Sequence, residues 1–158
     1  MPASNPGSSA VAIDEARQIV GSRLFDAPRA LVWKVWSDPK HIAQWWGPNG
    51  FTNTIEKMDF RPGGGWILVM HGPDGTDYKN RFVYREIVEP ERIAYSHLTG
   101  PLFEALAVFE EEGGKTRVTV SMTFESAELR NRVAEEFGAV EGLHQTLGRM
   151  AGYIANIQ

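Results

Sequence analysis

The chain has 158 residues, of which 42% are hydrophobic and 11% aromatic, which is enough for one buried core and too short for two comfortable domains. Its formal net charge of -4 gives no general attraction to phosphate backbones or anionic lipid, so nucleic acid is not an expected partner. The absence of cysteine excludes a disulfide scaffold, a thiolate metal site and a cysteine nucleophile together, and fits a reducing cytoplasm.

Residues 1–16 read as a flexible tail and residues 17–158 as one domain. The opening from Met1 to Ala10 is rich in Pro, Ser, Asn and Gly and lacks the charged start and apolar block of a secretory signal. No later segment approaches the roughly eighteen uninterrupted apolar residues of a membrane span, so no membrane insertion is expected. Arg17 to Phe25 reads as a strand that runs into Asp26-Ala27-Pro28. Pro28 suits the first position of a helix, where its missing N–H would go unpaired anyway, and Val32, Val35 and Trp36 follow on one helical face. Asp38-Pro39 repeats that start, predicting a second short helix with Ile42, Trp45 and Trp46 at i, i+3 and i+4 until Gly47-Pro48 ends it.

From Phe51 to Phe124 turn signals recur at Arg61-Pro62-Gly63-Gly64, Gly72-Pro73-Asp74-Gly75, Glu89-Pro90-Glu91, Gly100-Pro101 and Gly113-Gly114. Five breaks make six strands of an antiparallel meander, and the first strand brings the sheet to about seven. Ser126 is a plausible N-cap for a closing helix that runs to Ile157, with Leu129, Val133, Phe137, Val140, His144, Leu147, Ala151 and Ile154 along it. The predicted order is β-α-α-β6-α in an α+β fold.

Hairpin turns allow the inward face to be derived. A two-residue loop at Gly113-Gly114 pairs Phe109 with Val118, Ala107 with Val120, Ala105 with Met122 and Phe103 with Phe124. A loop centred on Asp74 pairs Met70 with Tyr78, Leu68 with Asn80 and Trp66 with Phe82. At Glu89-Pro90-Glu91 a register opposing Tyr84 to His97 and Glu86 to Tyr95 is preferred over a one-residue slip. It keeps Tyr78, Asn80, Phe82 and Tyr84 on one face without a bulge, and turns Lys79, Arg81 and Arg85 to water. Glu86 then faces inward and needs a donor or its proton.

Two features point to space inside. Ala105 and Ala107 are small at adjacent inward positions, and the closing helix carries Gly138, Gly142, Gly148 and Gly152, each costing about 1 kcal/mol relative to alanine in a helix interior. One reading is a cavity between sheet and helix lined by Trp66, Met70, Phe82, Tyr95, His97 and Met122, with Asn80, Tyr84, Ala105, Ala107, Phe137 and His144 on its walls. The other is that aromatics fill the space over the alanines and the glycines permit close packing. Trp46, beside Trp45, is either a lid residue at the cavity mouth or a packing residue.

No Gly-Lys-Ser/Thr follows Gly63 to Gly65, so that run reads as a turn rather than a phosphate loop, with Asp59 and Arg61 ordering it. His41, His71, His97 and His144 have no metal-ligand spacing, and neither a metal nor a cofactor is expected. Candidates for acid–base chemistry are Glu86, His97 and Tyr84 or Tyr95, which in an apolar pocket would have shifted pKa values. The competing reading is a hydrogen-bonded cluster that holds the sheet in register.

The run from Asp26-Ala27-Pro28 to Trp33, then Trp36-Ser37-Asp38-Pro39 and Trp45-Trp46-Gly47-Pro48, resembles the opening segment of the activator-of-Hsp-ninety-ATPase-like (AHSA-type) family. Met58 to Gly64, Gly72 to Gly75 and Glu86 to Ile93 strengthen the likeness, which covers about residues 17 to 157. The resemblance implies the SRPBCC, or START-like and Bet v-like, superfamily and its helix-grip fold: a curved antiparallel sheet closing on a long C-terminal helix. It further implies a module binding a small apolar or lipid-like ligand, and leaves open a co-chaperone acting on an Hsp-ninety ATPase and a polyketide cyclase or aromatase-like enzyme. The chaperone activator proper has a second, N-terminal domain, and with room only for a tail before Arg17 chaperone activation is the less expected role. A homodimer through exposed apolar residues also stays open.

Overall fold

The computed structural model describes residues 16–158. Strand β1 (Gln18–Phe25) is followed by helices α1 (Arg29–Ser37) and α2 (Pro39–Ile42). The six-strand meander comprises β2 (Thr52–Met58), β3 (Gly65–His71), β4 (Asp77–Val88), β5 (Arg92–His97), β6 (Phe103–Glu112) and β7 (Lys115–Thr123). Helices α3 (Ala127–Glu136) and α4 (Ala139–Ile157) close the chain. Only residue 16 of the expected N-terminal tail falls within the described residues.

All seven strands form one antiparallel sheet in the order β1-β7-β6-β5-β4-β3-β2. This is the antiparallel meander that the turn spacing predicts, in the helix-grip arrangement that the resemblance implies. The two hairpin registers are as derived from loop length: Trp66 pairs with Phe82 and Met70 with Tyr78, and Ala105 pairs with Met122 and Phe109 with Val118. The helix starts follow their cap chemistry. Asp38 accepts from the Lys40 N–H with Pro39 in the first turn, and the Ser126 side chain accepts from the Leu129 N–H. Pro28 occupies the N-cap of α1, one residue ahead of its expected position.

Three expectations about geometry are overturned. First, β4 and β5 pair Phe82 with His97 and Tyr84 with Tyr95, and a bulge between Tyr84 and Glu86 follows. The extra residue absorbs the mismatch that the bulge-free register would have spread over both strands, so Tyr84 does not oppose His97. Glu86 instead pairs with Ala94, is exposed, and forms an ion pair with Arg92 at 2.9 Å. Second, Tyr78 is exposed and lies against Phe51, with ring centroids 5.9 Å apart, rather than in the interior.

Third, the helical stretch after Ser126 breaks at Phe137-Gly138, where Gly138 adopts a left-handed conformation (φ 59°, ψ 37°) as the cap of α4. A side chain is disfavoured there, so glycine permits the chain to change direction at little cost. The break also resets the helical phase. The buried residues of α4 are Leu147, Met150 and Ile154, whereas Val140 and His144 from the expected stripe are exposed.

The concave face of the sheet is covered in two parts. Helix α1 lies against β6 and β7, and α4 lies along β1. Close approach of α4 depends on Gly21: a Cβ there would sit 2.8 Å from the Leu143 Cδ2.

Candidate functional site

Between the sheet and α4 lies an open-mouthed cavity of about 220 Å³. Met70 from β3, Asn80 and Phe82 from β4, and Tyr95 and His97 from β5 form one wall, continued by Phe103, Val120 and Met122 from β6 and β7. The alternation of a β-strand puts each of these residues on the same inner face. Helix α4 supplies the opposite wall through Ala139, Gly142, Leu143, Thr146 and Leu147. Trp36, Trp45 and the Trp46-Gly47-Pro48 segment close one end, and Phe137, which is 69% exposed, marks the mouth.

Of the residues expected on the wall, Trp46, Met70, Asn80, Phe82, Tyr95, His97, Met122 and Phe137 border this space. The others lie elsewhere. Trp66 is buried and stacked on Phe82 at 4.5 Å. Tyr84 is buried beside Phe60, with ring centroids 5.0 Å apart. Ala105 and Ala107 are buried in the core beside α1. His144 is exposed because the phase of α4 carries it out of the interior. Glu86, ion-paired with Arg92 at the surface, contributes no carboxylate to the cavity.

The polar end of the cavity is built around His97. Its Nδ1 lies 2.7 Å from the Pro101 carbonyl, and its Nε2 lies 2.7 Å from the Asn80 amide and 2.9 Å from the Thr99 hydroxyl. Burial lowers the pKa of the imidazole, outweighing the opposing effect of the Pro101 carbonyl, so the neutral ring is favoured. A carbonyl can only accept, so in the neutral ring Nδ1–H donates to Pro101 and Nε2 accepts from Thr99 Oγ1–H. Asn80 places its Oδ1 against Nε2 and donates its Nδ2–H to the Tyr78 carbonyl at 3.3 Å. Burial raises the Tyr95 phenol far above its ordinary value and keeps it protonated. The ring nitrogens of His97 thus face backbone, hydroxyl and amide, the partners of a group that orders β4 against the Thr99–Pro101 turn.

One side chain with a large part in the site gave no signal in the motif reading. Arg149 of α4 donates to the carbonyls of Trp46, Gly47, Pro48 and Phe51 at 2.9 to 3.1 Å, and to Gln44 at 3.4 Å. Gln145 accepts from the Asn49 N–H, and Asn53 donates to the Trp46 carbonyl. Residues 44–51, including the end wall of the cavity, are therefore tied to α4 and β2 by side chains that satisfy loop carbonyls. The available clue was that Arg149 is the only Lys or Arg in residues 139–158.

A seven-stranded antiparallel sheet closed by a long C-terminal helix defines a helix-grip fold of the START-like type. The family model of the Activator of Hsp90 ATPase homolog 1-like protein matches residues 26–155, and the chain belongs to that family. Solved structures agree. A protein from Arthrobacter aurescens is 28% identical with a TM-score of 0.83, covering 90% of this chain and 88% of that one. Protein Ms6760 from Mycobacterium smegmatis is 25% identical with a TM-score of 0.82, covering 92% and 95%. The AHSA1-like protein from Aeromonas hydrophila shares the fold at 20% identity and a TM-score of 0.72, covering 89% and 93%. No curated protein matches this chain. Among the described residues no helix is long and apolar enough to cross a membrane.

Proposed function

We propose that residues 17–158 act as one binding domain of the cytoplasm that holds a small apolar molecule between the sheet and α4. The observation that carries this reading is the 220 Å³ cavity, whose wall is almost entirely apolar and which opens beside the exposed Phe137. An apolar cavity of about 150 Å³ is known to accept benzene, so a molecule of one or two rings is the right scale. The volume lies below the roughly 300–1,000 Å³ of drug-sized pockets, which disfavours a long acyl chain lying wholly inside.

The test is native mass spectrometry of freshly purified protein, followed by thermal unfolding with any molecule that co-purifies. At about 100 times its Kd, a ligand that binds only the folded state raises Tm by roughly 5–10 °C. A chain that carries nothing and gains no stability from small aromatic molecules, yet accelerates an Hsp90-type ATPase by itself, would instead support the co-chaperone role that the family description suggests. A cyclase-like reaction has less support, because Glu86 stands outside the cavity and His97 is engaged on both nitrogens.

A further inference from the structure

Three features of the cavity wall bear on which molecule it takes. Among the described residues no Lys, Arg, Asp or Glu lines it. Its two ionisable groups, His97 and Tyr95, are both held neutral by burial, and both His97 nitrogens already have partners. An anion entering this space would give up its hydration with no cation to replace it.

The third feature is a surplus of donors. The Trp36 indole N–H is fully buried and has no hydrogen-bond partner among the described residues. The Tyr95 hydroxyl, on the sheet wall of the cavity, makes no hydrogen bond among the described residues. Both side chains line the cavity, and their ring centroids are 6.5 Å apart. A buried donor without an acceptor is costly, and a ligand that brings an acceptor removes that cost.

Resting on the ligand-binding reading above, we infer that the cavity selects a compact neutral molecule, one or two rings in size, that carries a hydrogen-bond acceptor such as a carbonyl, and rejects carboxylates and phosphates. Tyr95 is the group that recognises the acceptor, while Phe82, Phe103 and Phe137 supply the apolar wall.

Three probes of one shape test this by chemical-shift titration of the intact chain: naphthalene, 2-acetylnaphthalene and 2-naphthoate. The acetyl compound is expected to bind about three- to tenfold tighter than naphthalene, the range of one net hydrogen bond. The naphthoate is expected to bind at least tenfold more weakly than naphthalene. Tyr95→Phe should cut the preference for the acetyl compound over naphthalene, and Tyr95→Leu provides the second variant if the first fails to fold. Equal binding of naphthalene and 2-acetylnaphthalene would overturn the donor assignment and leave the binding module standing. So would a preference that survives both variants. Naphthoate binding as tightly as the acetyl compound would overturn the charge selection. Binding of none of the three would sink the binding reading itself, and this inference with it.

Discussion

The two halves of the concave sheet face are closed in opposite ways. Beside α1, Trp33 and Trp36 meet Phe109 at 5.2 and 5.7 Å, Phe60 meets Tyr84 at 5.0 Å, and Ala105 and Ala107 are buried and do not line the cavity. Beside α4, the covering residues include Ala139, Gly142 and Thr146, and about 220 Å³ stays open. Small residues on the sheet did not leave the cavity; small residues on the helix did. A sheet wall is only one side of an interior, and the volume left over depends on the size of whatever lies across it.

The sharpest way to break this comparison is to damage the solid half. Phe109→Ala removes a buried ring that packs against two tryptophans and should cost about 3–5 kcal/mol, measured by denaturant unfolding, because its neighbours cannot collapse into the gap. An effect below about 1 kcal/mol would mean that this half is not solid.

Next in size is Arg149→Met, which leaves the carbonyls of residues 44–51 without their donor and should cost about 1–3 kcal/mol. Ligand dissociation should also quicken in this variant, as the end wall is released. Stopped-flow displacement of a bound probe measures it, and an unchanged rate would show that the loop is held by Asn53 and Gln145 alone.

On the open side, Gly142→Leu puts a side chain where there is space: a Cβ meets nothing nearer than the Pro48 Cγ at 3.6 Å. Probe affinity should fall at least tenfold, about 1.4 kcal/mol, while stability holds or rises by up to about 1 kcal/mol because glycine is a poor helix former. Unfolding and titration of the same sample separate the two effects.

The smallest expected effect concerns pH. His97 has its pKa lowered in the folded protein from the ordinary 6.5, so between the two values the unfolded chain binds the extra proton. Stability from this group is present above about pH 6.5 and is lost as pH falls toward the lowered folded value. Unfolding curves between pH 7.5 and 5 should show that slope, and His97→Gln should flatten it.

Much of this was legible in the residues. The strand number came from turns at Gly63, Gly75 and Gly113-Gly114, whose positive φ only glycine tolerates well, and the registers came from the loop lengths that those turns impose. The inward placement of Met70, Phe82, His97 and Met122 followed from alternation. His144 was misplaced because Gly138 both permits a helix and permits its interruption, and composition does not distinguish the two. Glu86 was misplaced because a bulge is the outcome of two strands competing for register, which neither strand encodes alone.

The class of fold, the order of its elements and most of the apolar face of the sheet can be read from local chemistry along the chain, since hydrophobic period, turn chemistry and helix caps act over a few neighbouring residues. Where the empty volume lies, that Arg149 gathers the carbonyls of residues 44–51, and that Trp36 and Tyr95 meet at the cavity emerge from long-range packing. Those facts depend on the distance between segments far apart in the chain, and that distance is set by how the whole interior packs.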